Sequence, residues 1–204
     1  MNFSDVFLQE CRKVIDLLPS AEIEVVVNVL RDVRNAQGRL FLIGSGGGAG
    51  HASHAACDFR KLCNIECYAP YDNVSELTAR VNDEGWDVSL CNWLKVSRLK
   101  ENDALFVFSV GGGNSKQSIS SNLVKAIQYA QACKAKVVGI VGKDGGYAKE
   151  VGDAVVVVPV VSSQRITPLT EGFQAIIWHL MVSHPNLQIH STKWESIKEG
   201  AAIL

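Results

Sequence analysis

The sequence lacks several features that mark common functional classes. Its net charge is −1 over 204 residues, and it has no long run of Lys and Arg of the kind that binds nucleic acid or an anionic membrane. Its longest apolar runs, near 154–161 and 175–182, are shorter than the roughly 20 residues that span a bilayer. Its first ten residues lack the basic-then-apolar pattern of a secretion signal. We therefore expect a soluble, cytoplasmic protein with no nucleic-acid or membrane partner.

Two cofactor and redox motifs are also missing. The six cysteines include no Cys-x-x-Cys pair, so we expect reduced, mostly buried thiols rather than disulfides or a zinc knuckle. The sequence has no GxxxxGK[ST] motif, which disfavours a P-loop nucleotide hydrolase. Its length and 47% hydrophobic content suit one domain across 1–204, with a helical pair over 1–38, an α/β core over 39–185 and a tail over 186–204.

The most informative stretch runs from Arg39 to Cys63. Leu40–Ile43 is a continuous apolar run, which predicts a strand buried on both faces of a parallel sheet. The next segment, Gly44–Gly50, is mostly glycine, and a helical composition follows from His51. A strand, a glycine loop and a helix in this order direct backbone N–H groups and a positive helix end at the loop, which favours an anion such as phosphate. The structural alternative is a tight turn with a buried histidine and a capping carboxylate.

The remaining chain alternates between helices and strands. Ser4 is expected to cap a helix through Leu18, and Ser20 a second helix to about Gln37 that is apolar enough to pack against another subunit. The expected further strands are Ile65–Ala69, Ala104–Phe108, Lys136–Val141 and Ala154–Val160, and the expected further helices are Asn73–Val81, Trp86–Leu99, Asn122–Cys133 and one from Thr167-Pro168 to His184. This alternation predicts an α/β fold with a parallel sheet wrapped by helices.

A second glycine loop, Ser109–Ser115, follows the strand Ala104–Phe108. Ligands of open α/β sheets bind beyond the carboxyl ends of the strands, so both loops can contact one phosphorylated small molecule. A dinucleotide is an alternative, because Gly44-x-Gly46-x-x-Ala49 fits a relaxed fingerprint. A nucleotide fold does not require a second loop rich in Ser and Asn, whereas hydroxyls and amides together suit a phosphomonoester. We therefore expect no nucleotide cofactor.

The order of the motifs gives a specific resemblance over nearly the whole chain. They are Gly44–Gly48, His54-x3-Asp58, Asn82-Asp83-x-Gly85-Trp86, Ser109–Ser115, Gly142–Gly146 and Glu171-x7-His179. Together they resemble the phosphoheptose isomerase branch of the sugar isomerase (SIS) domain family. The resemblance implies a flavodoxin-like SIS fold with a five-stranded parallel sheet and two N-terminal helices. It also implies a homotetramer with sites shared between subunits, and conversion of sedoheptulose 7-phosphate to an aldoheptose 7-phosphate through an enediol.

The resemblance also implies roles for particular residues. The acid/base pair of the family, a Glu and a His, matches Asp58 and His179, although Asp is one methylene shorter and a misplacement of about 1 Å can reduce a rate roughly a hundredfold. Substrate contacts are expected at Ser45, Gly46, Gly47, Asn82, Asp83, Ser109, Gly111, Gly112, Asn114, Ser115, Glu171 and Gln174, with Ser118 or Ser120 as further phosphate contacts in a loop that is longer than the family's. His51 and His190 are expected at the surface and His184 at a helix end.

Zinc or a similar divalent metal is a further expectation. Some members of this branch hold zinc between two His, a carboxylate and a Gln, and the matching residues here are His54, Asp58, Glu171 and His179. Two imidazoles and two carboxylates suit tetrahedral zinc. The same four groups could instead form two His–carboxylate pairs without metal. Non-catalytic SIS regulators that bind a sugar phosphate, and isomerases of another phosphosugar, are the alternatives to a heptose isomerase.

Overall fold

The computed structural model describes residues 2–193, and the predicted α/β architecture is confirmed. Five strands form one parallel sheet in the order β2-β1-β3-β4-β5. The strands are β1 Arg39–Gly44, β2 Glu66–Tyr68, β3 Ala104–Ser109, β4 Lys136–Val141 and β5 Ala154–Val157. The helices are α1 Phe3–Leu17, α2 Ser20–Asn35, α3 Gly47–Cys63, α4 Val74–Glu84, α5 Trp86–Val96, α6 Ser121–Ala132, α7 Gly146–Val151 and α8 Ile166–Val182, with a 3₁₀ turn at Pro70–Asp72.

Both faces of the sheet are buried, as the continuous apolar strands predict. Successive strand residues point to opposite faces, so Leu40 and Leu42 pack with α1, α2, α3 and α8, while Phe41 and Ile43 pack with α5, α6 and α7. This arrangement explains why the strands show no polar alternation. Among the described residues, no helix combines the length and apolar character needed to cross a bilayer. The cellular location stays a prediction.

The strand order fixes where a ligand can approach. β1 lies between β2 and β3. The chain therefore passes from β1 to its neighbour β2 at one edge of the sheet, and then crosses back to β3 on the other side of β1. The loops that follow β1 and β3 flank this switch point, where the crevice of a doubly wound sheet lies. Helix α3 follows the first loop and α6 follows the second, on opposite faces. The fold therefore brings the two glycine loops to one end of the sheet.

Helix α3 begins at Gly47, four residues before the start at His51 that its composition predicts. Close packing explains the difference. A Cβ atom on Gly48 would lie 2.7 Å from the backbone oxygen of Phe108 in β3, and one on Gly44 would lie 2.4 Å from the backbone of Gly48. The glycines thus allow the first turn of α3 to lie directly against the strands, where a side chain would clash.

Other boundaries differ from expectation for local reasons. Helix α1 is capped by Asn2 rather than Ser4, because Asn2 and Asp5 form a reciprocal capping box. Helix α8 begins at Ile166 with Arg165 as the N-cap residue, so Thr167 does not cap it. The short helix α7 was not predicted, since its glycine-rich start resembles a loop. Within the part of the tail that is described, residues 186–193 form no helix or strand.

The cysteines were expected to be reduced and mostly buried, but only two of the six are buried. Within the described residues none of the six forms a disulfide. Cys63 and Cys67 are buried, and burial raises the pKa of the Cys63 thiol to about 12. Cys57 is exposed. The buried thiols therefore stay protonated at neutral pH and act as small apolar core residues.

Candidate active site

Two histidines and a carboxylate meet between α3 and α8. Asp58 Oδ2 lies 3.9 Å from His54 Nε2 and 4.0 Å from His179 Nε2. These separations are too long for direct hydrogen bonds, so a ligand atom can be shared among the three groups. The side chains of His54 and His179 are 61% and 51% exposed, whereas Asp58 is 21% exposed. The cluster is therefore open to solvent on its imidazole side and closed behind the carboxylate.

The orientation of His179 is set by its own helix. Its Nδ1 lies 2.7 Å from the backbone oxygen of Ala175, an acceptor, so Nδ1 carries the proton and Nε2 faces Asp58. The ring of His179 stacks on the buried indole of Trp178, with centroids 3.5 Å apart, and His54 meets the same indole edge-on at 4.7 Å. The indole of Trp178 thus contacts both imidazole rings and restricts their orientation.

The cluster has the donor chemistry of a divalent metal site. One ligand atom each from His54, Asp58 and His179 lies within 4.8 Å of the others. Two imidazole nitrogens and a carboxylate oxygen are a common set of protein ligands for zinc with an open fourth position. The residues present therefore fit such an ion. Glu171 is not part of this group, and its role as a fourth ligand stays a prediction.

Glu171 belongs to α8, and its carboxylate lies at the N-terminus of α3. A Cβ atom on Gly47 would lie 2.6 Å from its carboxyl carbon, so the carboxylate rests directly on the glycine backbone. A negative charge is favoured there by the positive end of the helix. His51, expected at the surface, is half-buried beside Glu171 and against Phe108, and burial lowers the pKa of His51. Its spacing of three from His54 was the signal that could have placed it on this face.

The first glycine loop is connected to the region after the second one. Ser45 is exposed at the end of β1, and its Oγ accepts a hydrogen bond from Asn122 Nδ2 at 3.5 Å. Asn122 is buried in the first turn of α6 and was not among the predicted site residues. The convergence of both loops on one ligand stays a prediction. The start of α6, just after the second loop, is the part that reaches Ser45.

The second loop is internally bonded. Ser109 Oγ accepts a hydrogen bond from the backbone N–H of Gly112 at 3.0 Å, and Gly112 packs under the backbone of Gly145. Asn114 Oδ1 accepts from the N–H groups of Lys116 and Gln117, which closes a short hairpin from Asn114 to Ile119. The side chains of Ser109 and Asn114 therefore hold the shape of the loop.

Hydroxyls of the hairpin and of the start of α6 lie around one cavity. Ser115, Ser118 and Ser121 line a cavity of about 190 Å³ together with Lys125. The N-cap residue of α6, Ser120, makes no side-chain capping bond. The first turn of α6, Ser121–Val124, contains no carboxylate. Asp87 also lines this cavity, and its Oδ2 lies 3.7 Å from Lys125 Nζ, so the lysine already has a carboxylate partner. N–H groups at a helix start that have no side-chain cap favour an anion.

Comparison with known proteins identifies the family. A phosphoheptose isomerase from a Nitratiruptor species is 30% identical over 152 residues, which cover 72% of this chain and 75% of that protein. The chain belongs to the phosphoheptose isomerase family. It is an isomerase, as the motif order predicts. No protein-family model matches the chain.

Two further comparisons bear on this isomerase. The lincomycin biosynthesis protein LmbN from Streptomyces lincolnensis is 32% identical over 180 residues, which cover 83% of this chain but only 63% of LmbN. The structure of phosphoheptose isomerase GmhA from Neisseria gonorrhoeae superposes with a TM-score of 0.74 at 22% identity, covering 88% of this chain and 95% of that one. The predicted SIS fold is thereby confirmed.

Three predicted substrate contacts of the isomerase make side-chain hydrogen bonds within the chain. Asn82 and Asp83 lie in the last turn of α4, where Asn82 Nδ2 donates to Asp83 Oδ1 in an exposed contact. Gln174 is fully buried, and its Nε2 donates to the backbone oxygens of Ile140 and Ser109. This placement differs from the expectation that Gln174 faces the sugar, because its amide ties α8 to the ends of β3 and β4.

The remaining histidines agree with expectation. His184 lies just beyond α8, where its Nε2 is 3.2 Å from Glu24 Oε1, and His190 is exposed. The sequence therefore predicted two of the three histidines outside the cluster correctly. His51 is the exception, since it packs beside the site.

Proposed function

We propose that this isomerase converts sedoheptulose 7-phosphate to D-glycero-D-manno-heptose 7-phosphate through an enediol. The observation that carries the proposal is the Asp58 carboxylate held within 4.0 Å of both His54 and His179, between α3 and α8. Aldose–ketose isomerisation moves a proton between adjacent carbons and needs a base at carbon and an acid at oxygen. A carboxylate beside an imidazole supplies both.

The proposed roles follow from the orientation of each group. His179 presents Nε2 to the cluster because Nδ1 is held by Ala175, so Nε2 is the atom that exchanges a proton with the substrate. Asp58 is the least exposed of the three and serves as the partner acid/base. The carboxylate of Glu171 lies against Gly47 at the first loop, where its oxygens can accept hydrogen bonds from sugar hydroxyls.

The substrate phosphate is proposed to bind at the start of α6. The serines around the hairpin lie beside this helix start, and Ser45 contacts Asn122 in its first turn. Lys125 is also there, paired with Asp87 at 3.7 Å. The helix N-terminus favours the anion, while the carboxylate of Glu171 at the start of α3 disfavours it there. The phosphate is thus assigned to the start of α6, and the reacting carbons are assigned to the cluster of His54, Asp58 and His179.

A divalent ion, most simply zinc, is proposed to be held by His54, Asp58 and His179. When bound, it would supply a Lewis acid that polarises the carbonyl and stabilises oxyanion charge. The three donor atoms within 4.8 Å support this assignment. His179 Nε2 cannot hold an ion and exchange a proton at the same time, because Nδ1 is hydrogen-bonded to Ala175. The metal-bound cluster and the metal-free acid/base cluster are therefore alternatives, which the chelator sample below distinguishes.

A homotetramer is proposed from the unpaired apolar residues of a single chain. Leu8 and Ile15 of α1 are 55% and 57% exposed, Val25 of α2 is 50% exposed, and Ile176 of α8 is 51% exposed. Exposed apolar side chains on three neighbouring helices support burial against further copies. Analytical ultracentrifugation of the purified protein tests this, and a monomer at micromolar concentration would contradict it.

The reaction is tested by an NMR time course with sedoheptulose 7-phosphate. Three samples are compared: enzyme as purified, enzyme with chelator, and His179→Ala. We expect new aldoheptose anomeric signals that disappear in the variant, and the chelator sample measures the dependence on metal. Substrate binding without turnover would contradict the proposal and favour a non-catalytic regulator.

Another phosphosugar is the second candidate substrate. It is favoured by the longer second loop, whose hairpin from Asn114 to Ile119 adds residues beside the proposed phosphate site. The similarity to LmbN, a protein of lincomycin biosynthesis, also supports testing it. The same NMR assay with phosphorylated ketoses of six and eight carbons compares the candidates, and the ketose with the highest kcat/KM identifies the substrate.

A further inference from the structure

Asn122 is a buried polar residue with an incomplete set of partners. It is 1% exposed in the first turn of α6. Its Nδ2 donates to Ser45 Oγ at 3.5 Å, and its Oδ1 has no hydrogen-bond partner within the described chain. A buried polar atom left without a partner is destabilising, so such residues in folded proteins call for an explanation. Core packing alone would favour an apolar side chain here.

The contact determines what the Ser45 hydroxyl can do. Because Ser45 Oγ accepts from Asn122, its own hydrogen is free to point toward another acceptor. Ser45 is exposed at the end of β1, so that acceptor lies in the crevice. A hydroxyl that accepts one hydrogen bond also becomes a stronger donor for the next. Asn122 thus prepares Ser45 to donate to an anion.

The charges around the two helix starts indicate where the anion lies. The carboxylate of Glu171 rests on Gly47 at the start of α3 and repels a phosphate there. The start of α6 carries no carboxylate in its first turn and no side-chain cap. Asn122 belongs to this first turn and links it to Ser45. The Asp87 carboxylate, which lines the cavity beside this helix start, is paired with Lys125 at 3.7 Å. The start of α6 is therefore the more favourable of the two helix starts for an anion.

We propose that Asn122 is a positioning residue for the substrate phosphate, which it serves by fixing the Ser45 hydroxyl as a donor at the start of α6. This inference rests on the proposed function, since it assumes a phosphorylated substrate. It assigns no proton transfer to Asn122. Its effect should therefore appear in KM and in phosphate binding, with kcat unchanged.

The test compares Asn122→Ala, Ser45→Ala and the double variant, with Gln131→Ala on the exposed side of α6 as the matched control. Steady-state kinetics with sedoheptulose 7-phosphate give kcat and KM. Loss of one hydrogen bond to a charged group predicts a KM about tenfold higher for each single variant. The double variant should be no worse than Ser45→Ala, because both changes act through one hydroxyl. Independent, multiplying effects would overturn the inference.

A conservative variant separates positioning from packing. Asn122→Asp keeps the size of the side chain but replaces the donor with a carboxylate, so it should raise KM more than Asn122→Ala does. Circular dichroism and thermal melting check that each variant is folded. If Asn122→Ala fails to fold, Asn122→Asp and Ser45→Ala still decide the question. An unchanged KM in folded Asn122→Asp would contradict a role at the phosphate.

A second readout distinguishes failure of this inference from failure of the proposed function. Inorganic phosphate at millimolar concentration should raise the melting temperature of the unmodified protein and of Gln131→Ala, but not that of Asn122→Ala. If sedoheptulose 7-phosphate is not turned over and this difference is still found, the heptose reaction is wrong and the role of Asn122 stands. Equal phosphate shifts in all variants would overturn the role of Asn122.

Discussion

The two glycine loops have similar compositions and different structures. The first continues directly into α3, with Gly46 at φ +58° and the Glu171 carboxylate against Gly47. The second folds back on itself through Asn114, and only then enters α6. The first loop therefore has a carboxylate against it and leads into the helix that carries His54 and Asp58, and the second brings hydroxyls and an uncapped helix start.

This difference shows that a glycine-rich loop after a strand does not by itself define a phosphate site. In the first loop the glycines allow close packing, because Gly44 and Gly48 lie against backbone atoms. In the second, Gly112 and Gly113 adopt positive φ angles of 69° and 80°, which let the loop turn. The division predicts that variants of the cluster His54, Asp58 and His179 change kcat, whereas variants at Ser45 and at the start of α6 change KM.

The largest effect is expected for Asp58→Asn, which removes the charge of the central carboxylate at constant size. Loss of an acid/base group lowers kcat by about 10²- to 10⁴-fold. KM for sedoheptulose 7-phosphate should change little, because the phosphate binds beside α6. Asp16→Asn, at an exposed position on α1, is the control. A loss below tenfold, or an effect confined to KM, would contradict the assignment of chemistry to the α3 side.

The next largest effect is on stability, and it should differ between two neighbouring glycines of the second loop, Gly111 and Gly112. A Cβ atom on Gly112 would lie 1.8 Å from the backbone oxygen of Gly145, and its φ is positive. Gly112→Ala should therefore lower the free energy of unfolding by about 3 kcal/mol. Gly111→Ala meets nothing within 4 Å and should change it by less than about 0.5 kcal/mol. Urea unfolding measures both, and equal values would show that the loop relaxes freely.

A smaller effect is expected at the first loop. In Gly47→Ala the new Cβ would lie 2.6 Å from the Glu171 carboxyl group, the end of a side chain that can move, so the loss of stability should be about 1 kcal/mol. Gly50→Ala meets nothing within 4 Å in the same helix and should be neutral or stabilising. Adding Glu171→Ala should remove the penalty of Gly47→Ala. If the losses of stability in Gly47→Ala and Glu171→Ala simply add in the double variant, the new Cβ atom does not clash with the Glu171 side chain.

The fold was predictable from the sequence because its signals are local. The apolar runs Leu40–Ile43, Ala104–Phe108 and Lys136–Val141 each became a strand, since a strand buried on both faces needs no alternation. The start of α3 was not predictable in this way. Three of the four residues in its first turn are glycine, a poor helix former, and the turn is helical because it packs on β3.

The site was predictable where its residues lie on one helix face. His54 and Asp58 are four apart on α3, and the structure adds His179 from α8 to the same cluster. Asn122 and His51 were missed because their roles depend on contacts between elements, with Ser45 and with Glu171. Gln174 was assigned to the sugar from its spacing on α8, but spacing does not tell which side of that helix the core covers.

The smallest effect tests whether the hairpin of the second loop is held by Asn114. Its Oδ1 accepts from the N–H groups of Lys116 and Gln117 at 3.0 and 2.9 Å in an exposed turn. Asn114→Ala removes both bonds and should reduce stability by about 0.5–1 kcal/mol and raise KM severalfold, since the serines beyond the hairpin lose their fixed positions. Asn114→Asp keeps both acceptor contacts and should stay close to the unmodified protein in thermal melting. Because only the oxygen accepts, identical behaviour of the two variants would show that the hairpin forms without this side chain. The contrast between the loops would then rest on Gly112 and Gly113 alone.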